Sequence, residues 1–229
     1  VIGYGYWGPN IVRNLNANPN IAVKKVCDLS NDRLKLVRGL YPDIETTKVS
    51  NDILIDTHLD FIGIVTPVFT HYELAKKALL NGKHVFIEKP FTSTSAQAEE
   101  LIEIAEKKNL KIIVDHTFLF TGAVRKMKEF IDNGTIGNLY YYDSVRVNLG
   151  LFQHDINVIW DLAPHDISIM NYLISNLKPF SVNAVGAEHF NRGLEDVCYS
   201  GIFYYQFRTI RDIVIIICIR PSINFLSFH

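Results

Sequence analysis

Apolar residues in the first half of the chain fall into two alternating rhythms. Short apolar runs stand at 1–2 (VI), 21–27 (IAVKKVC), 61–65 (FIGIV), 84–87 (HVFI) and 111–114 (KIIV). Runs of this length and composition predict strands, and the unbroken ones predict buried strands. Between them, apolar positions recur at helical spacing over 10–15, 30–40, 71–81 and 95–108. Ser30 or Asn31 supplies an N-cap for the second of these helices, and Gly82 stands where a glycine commonly ends a helix. Strands alternating with helices of this length predict βαβ units and a parallel sheet.

The rhythm changes near residue 120. A helix is predicted over 123–131, stopped by Asn133-Gly134. The run YYYDSVRVN at 140–148 alternates as an antiparallel strand would. An amphipathic helix is predicted over 164–177, with Pro164 in its first turn, where a missing N–H is tolerated. Residues 180–185 and 197–207 read as strands. This divides the chain into a first domain over 1–118 and a second, α+β domain over 119–229.

Composition narrows the function classes. The chain has 229 residues, 48% hydrophobic and 21% charged, which is the balance of a globular protein. Lys and Arg total 23 against 24 Asp and Glu, so no overall basic field recruits nucleic acid or a lipid surface. The longest strongly apolar run, 213–219, is far below the ~20 residues of a membrane-spanning helix. Cys27, Cys198 and Cys218 are far apart and form no CxxC, so neither a disulfide framework nor a cysteine metal site is expected. A reducing cytoplasm fits that pattern.

Four groups of residues carry chemistry. Gly3-x-Gly5-x-x-Gly8 follows a strand and opens a helix, and such a loop lets a pyrophosphate approach the backbone at the helix N-terminus. Asp28 ends the second strand, 20 residues after Gly8, where an acid bonds ribose hydroxyls. Its charge repels a 2′-phosphate and so favours NAD over NADP, although Ser30, Asn31 and Arg33 stand nearby and Arg33 is able to hold such a phosphate. Thr66 and Pro67 follow the strand 61–65 and therefore face the ligand crevice of an open parallel sheet. His71, four residues further on, is either part of that crevice or simply a histidine at a helix start.

Glu88-Lys89-Pro90 also follows a strand. A lysine there is placed to hydrogen-bond a substrate hydroxyl and to stabilise an alkoxide as hydride leaves. Finally, Asp161-Leu-Ala-Pro-His165-Asp166 sets an acid and a histidine four apart, on one side of a helical turn. His165 beside a carboxylate is a reasonable general base. The plainer alternative is that Asp161 or Asp166 caps the helix and His165 is a boundary histidine.

Taken together, these residues resemble the glucose-fructose oxidoreductase / inositol dehydrogenase / rhizopine catabolism family of NAD(P)-dependent oxidoreductases. The matching runs are GYGYWG at 3–8, Asp28, TPVFTH at 66–71, EKP at 88–90 and DLAPHD at 161–166, in the family's order over about residues 1–200. The resemblance implies a Rossmann domain followed by an α+β domain built on an open, mainly antiparallel sheet. It implies that Lys89, Asp161 and His165 form the catalytic group. The cofactor-binding set is then Gly3, Gly5, Tyr6, Trp7, Gly8, Asp28, Thr66, Pro67, His71, Glu88 and Lys89. The runs GYGYWGPN, NLGLFQHDINVIWDLAPHDISIM and GLED resemble the branch acting on sugar nucleotides or related surface sugars. A sugar or sugar-nucleotide substrate, NAD as cofactor and a homo-oligomer follow as expectations.

The chain departs from that pattern at both ends. The glycine motif begins two residues after Val1, so the first strand is expected to be cut. Beyond about Ser200 the chain has one glycine, Gly201, with Arg208, Arg211 and Arg220 against only Asp212. This segment is expected to lack strand partners, leaving the second sheet incomplete. Two rivals to a dehydrogenase stay open on these grounds: an NAD-dependent glycosidase using transient oxidation, and an inactive dinucleotide-binding paralogue.

Overall fold

The apolar runs of the first half become parallel strands wrapped by helices. In a computed structural model the chain divides into two units, Val1–Asp115 and His116–His229. The structure describes residues 1–137, 141–147, 156–174, 178–189, 193–206 and 209–218. In the first unit the order is α1 (Gly8–Ala17), β1 (Lys25–Cys27), α2 (Asn31–Leu40), β2 (Glu45–Thr47), α3 (Asn51–Leu54), β3 (Phe61–Ile64), α4 (His71–Leu80), β4 (His84–Ile87), α5 (Ser95–Lys107) and β5 (Ile112–Val114). β1 pairs with β2, β3 with β4 and β4 with β5, all parallel. Ile2 forms parallel bridges to Cys27 on one side and Ile64 on the other. Across the sheet the order is therefore β2, β1, Ile2, β3, β4, β5. The chain works outward from Ile2 to β2, then returns and works outward the other way. That reversal is a topological switch point, where open α/β sheets bind ligands beyond the strands' carboxyl ends.

Local signals explain most of these elements. The Ser30 hydroxyl accepts from the Arg33 N–H and caps α2, and Thr94 does the same for α5 through Gln97. Gly82 follows α4 with φ +75°, a conformation that favours glycine. The core lies between sheet and helices: Ile62, Ile64, Val85 and Ile87 pack with Ala75, Ala78, Leu79 and Leu101, all fully buried. Each large side chain buried there contributes roughly 1.5–3 kcal/mol of transfer free energy. Of the predicted strand 21–27 only Lys25–Cys27 pairs, because its partner β2 is itself three residues long. β2 has the sequence ETT and gives no apolar signal, which is why the pattern missed it.

The second unit contains α6 (Gly122–Asp132), β6 (Tyr142–Val147), α7 (Val158–Leu173), β7 (Pro179–Ala187), β8 (Val197–Gln206) and β9 (Thr209–Cys218). Its sheet has the order β6-β9-β8-β7. β7–β8 and β8–β9 are antiparallel, as expected, but β6 runs parallel to β9. Alternation along 140–148 reports a strand with two unlike faces and carries no information about direction. Direction is set by the long connection from β6 through α7, β7 and β8 before β9 arrives beside it.

Two further expectations are corrected. α7 begins at Val158, so Pro164 lies inside the helix rather than in its first turn. Asn157 is the cap, its side-chain oxygen accepting from the Trp160 N–H at 3.1 Å. Neither Asp161 nor Asp166 therefore caps this helix. Among the described residues after Ser200, β9 is not unpartnered either: it pairs with β6 on one side and β8 on the other. The absence of turn residues along RDIVIIIC is what an interior strand looks like. Residues 148–155 of the run NLGLFQHDINVIWDLAPHDISIM, the predicted helix end at 175–177 and the tail 219–229 lie outside the described residues. Among the described residues no helix is long and apolar enough to cross a membrane.

Pairing on both sides predicts that the Thr209–Cys218 amides exchange with solvent as slowly as those of Phe61–Ile64, since both ladders must open first. Hydrogen exchange read by mass spectrometry checks this. Rapid exchange confined to 209–218 would restore the unpartnered reading.

Candidate active site

At the carboxyl end of the first sheet, the chain leaves Ile2 and turns through three glycines that do different things. Gly3 has φ +97°, and a Cβ there would lie 2.3 Å from the Val65 carbonyl oxygen. A Cβ on Gly8, the first residue of α1, would lie 2.8 Å from the Gly3 carbonyl oxygen. These two positions are closed by the turn and by the helix packing back onto it. Around Gly5 no atom lies within 4 Å of where a Cβ would sit, so its face of the loop is open. A turn glycine, a packing glycine and a clearance glycine are what a pyrophosphate cradle requires. α1 starts here and contributes its partial positive end. The exposed rings of Tyr6 and Trp7 meet in a T-shape at 5.6 Å on the loop.

Asp28 closes the next corner. Its Oδ2 accepts from the Tyr4 N–H at 2.7 Å and its Oδ1 from the Ser30 N–H at 2.8 Å. One carboxylate thus ties the glycine loop to the end of β1 and to the start of α2. Each oxygen keeps a second acceptor position. That capacity fits the ribose hydroxyls of NAD.

The third corner is held by His71. Its side chain is 1% exposed, with Nε2 2.8 Å from the Thr66 carbonyl oxygen and Nδ1 3.0 Å from the Pro90 carbonyl oxygen. It joins the loop after β3 to the loop after β4. The buried ring lies beneath the two loops and braces them. Thr66 is half-buried, its Oγ1 accepting from Thr70 at 2.7 Å, and Pro67 is exposed.

After β4 come Glu88 and Lys89. Glu88 donates its N–H to the Ile64 carbonyl, and Asp115, just past β5, donates its N–H to the Ile87 carbonyl. The Glu88 side chain is 9% exposed. Burial first, then the charge of Asp115 and a hydrogen bond to it, push the Glu88 carboxyl up to about 7, and Lys89 opposes the rise. A like charge close by disfavours the ionised form of a buried carboxyl. Asp115 was not among the sequence candidates. The signal that would have found it is an acid directly following a strand of the same sheet.

In the second unit, α7 carries Asp161 and His165 one turn apart. Asp161 is buried and His165 half-buried. The His165 ring meets Phe118 in a T-shape at 4.8 Å. The next residue, Asp166, accepts from Arg146 through Nε at 2.7 Å and Nη2 at 3.2 Å, and from the Ser144 hydroxyl at 2.7 Å. The candidate residues thus gather in two sets: the glycine loop, Asp28, Thr66 and Glu88-Lys89 at one sheet edge of the first unit, and Asp161 with His165 on one helix of the second.

A parallel sheet with its switch point at Ile2, this glycine loop and an acid ending the second strand define a dinucleotide-binding α/β protein. Comparison with known proteins carries this further. The sequence profile of the Gfo/Idh/MocA oxidoreductase family, described as NAD-binding with a Rossmann fold, matches residues 1–116. The chain belongs to that family. It is 26% identical over 189 residues to the UDP-N-acetylglucosamine 3-dehydrogenase of Acidithiobacillus ferrooxidans, covering 81% of this chain and 56% of that protein. It is 25% identical over 186 residues to the myo-inositol 2-dehydrogenase of Thermotoga maritima, covering 76% and 54%. The crystal structure of GenD2 from gentamicin A biosynthesis, in complex with NAD, superimposes with a TM-score of 0.87, at 17% identity, over 95% of this chain and 64% of that one. That likeness speaks for the fold. The chain spans 29% to 56% of the length of the curated relatives it matches first.

Two predictions follow from this geometry. Gly5→Ala is expected to leave the thermal midpoint unchanged and to weaken NAD binding, whereas Gly3→Ala is expected to destabilise the fold. Calorimetry of both variants separates clearance from turn geometry. Glu88 is raised in the folded state from about 4.5 to about 7. The folded chain therefore holds the proton more tightly, and its contribution is present in acid and lost as pH climbs through 7, on the order of 3 kcal/mol. Urea unfolding at pH 5.5 and 8 should show stability falling with pH, and Glu88→Gln should flatten that fall. An unchanged slope in Glu88→Gln contradicts it.

Proposed function

We propose that this chain provides the nucleotide-binding and catalytic residues of an NAD-dependent dehydrogenase acting on a hydroxyl of a sugar or sugar nucleotide. The observation that carries the reading is the glycine loop opening α1 at the sheet's switch point with Asp28 fixed beside it; a half-buried lysine at the carboxyl end of β4 and, in the second unit, an acid and a histidine one turn apart on α7 supply residue types suited to the chemistry. Relatives named for UDP-N-acetylglucosamine and myo-inositol support the substrate class. Gly3, Gly5, Gly8, Asp28, Thr66 and Pro67 would hold NAD, with Tyr6 and Trp7 flanking it and Glu88 and His71 supporting the loops. When bound, NAD supplies the acceptor for hydride.

The residues then divide the work. His165 takes the proton of the substrate hydroxyl as general base. Lys89 donates a hydrogen bond to the same oxygen and stabilises the negative charge that develops there. Asp161, four residues before His165 on the same side of the helix, orients the imidazole. The roles of Lys89 and His165 are interchangeable on this chemistry, since each holds a proton at the same oxygen.

Asp28 sets the preference for NAD, because a 2′-phosphate would meet a carboxylate already fixed by two backbone N–H groups. A homo-oligomer built through the second sheet is part of the proposal. Val145, Tyr199 and Val185 stand in one cross-strand row and all three are exposed. Covering such a row removes apolar surface from water. A cytoplasmic location completes the reading.

The test is NADH formation at 340 nm across a panel of sugars, cyclitols and sugar nucleotides. Lys89→Ala and His165→Gln should each lose at least ~10²-fold in turnover while NAD binding stays near wild type. Turnover that survives Lys89→Ala, or cofactor binding that collapses with it, contradicts the assignment.

A further inference from the structure

We infer that Arg146 and Phe118 are positioning residues that hold the His165 ring at one orientation. This rests on the reading of His165 as the general base. The parts lie within the second unit. Asp166, next to His165 on α7, is 3% exposed, and a carboxylate so buried must be fully satisfied by partners. It takes a two-pronged contact from Arg146 and a third bond from Ser144, both on β6. A fork of this kind fixes the plane of a guanidinium as well as its position.

That fixed plane is used. The guanidinium carbon of Arg146 stands 4.7 Å from the centroid of the Phe118 ring. Phe118, on the short turn Thr117–Phe120, is 36% exposed, so burial alone does not immobilise it. The cation over its ring does. Phe118 in turn meets the His165 ring at 4.8 Å and 75°. A path therefore runs from Asp166 through Arg146 and Phe118 back to the imidazole of the preceding residue. The terminal torsion of histidine is intrinsically broad. Packing against a pinned ring narrows it, and a general base must be aimed to within about 10–20°.

A plain ion pair between β6 and α7 would stabilise the fold without touching the histidine ring, and the two roles separate by experiment. In the full chain, His165 ring resonances are assigned by their loss in His165→Gln. They are then compared in Phe118→Leu, in Arg146→Lys and in the charge-neutral pair Arg146→Gln/Asp166→Asn, which avoids leaving a buried carboxylate alone. Turnover and KM are measured for each variant, and again in the His165→Gln background.

The expected result is displaced His165 resonances in Phe118→Leu and in the double variant, with Arg146→Lys in between. Turnover should fall about ten-fold at unchanged KM for NAD. No further loss should appear in the His165→Gln background. Unmoved resonances in both Phe118→Leu and the double variant overturn the inference, as does an equal loss of turnover when His165 is already absent. Moved resonances together with full turnover in His165→Gln would support the positioning and refute the catalytic reading of His165.

Discussion

The placement of Ile2 between two parallel strands decides where every functional residue of the first unit goes. Its N–H donates to the Gly63 carbonyl at 2.7 Å, its carbonyl accepts from Val65 at 2.8 Å, and the following Gly3 N–H donates to Cys27. With Ile2 locked on both sides, the chain must leave the sheet at Gly3 and can only do so through a positive φ. β1 and β3 then end beside the same point, which brings Asp28 and Thr66 to the glycine loop. β4 and β5 follow in register, so Glu88 and Asp115 arrive at the same edge. A parallel sheet converts sequence positions about twenty to forty residues apart into neighbours at one edge, and the switch point opens the space between them.

Charge at the two candidate sets is managed in opposite ways. Glu88 sits beside another carboxyl with little access to water, and both burial and that neighbour push its own carboxyl up to about 7. Asp166 is buried as deeply but meets a guanidinium and a hydroxyl, which satisfy it as an anion. The first arrangement makes the surroundings of Lys89 sensitive to pH near neutrality. The second is a fixed brace, and its stiffness is passed through Phe118 toward His165.

Much of this was legible in the sequence because the signals were local. Ser30 capping α2, Gly82 ending α4 and the glycine loop opening α1 each need only a few neighbouring residues. The apolar runs of β3 and β4 were equally plain. The failures share a physical cause, since each depends on residues distant in sequence. β2 is polar and exists because β1 offers it a partner. The direction of β6 is set by β9, about seventy residues later. The strand β9 looked partnerless until β6 and β8 were placed on either side of it. Pro164 reads as a helix start, yet the Asn157 cap lies about two turns before it. Among the site residues, Asp115 and Arg146 escaped notice because their importance lies in contacts with Glu88 and Asp166 made across the fold. His71 was noticed, but its burial beneath the loops is a tertiary fact.

The central claim is that the sheet edge around Gly5 and Asp28 is an NAD site with a preference built into one carboxylate. The most direct measurement is calorimetric titration of the chain with NADH and NADPH under identical conditions. The account predicts saturable binding of NADH, binding of NADPH at least about ten-fold weaker, a gap of ~1.4 kcal/mol, and loss of that gap in Asp28→Ser. Equal or tighter binding of NADPH by the wild-type chain would contradict it and would make Arg33 the ligand of the 2′-phosphate.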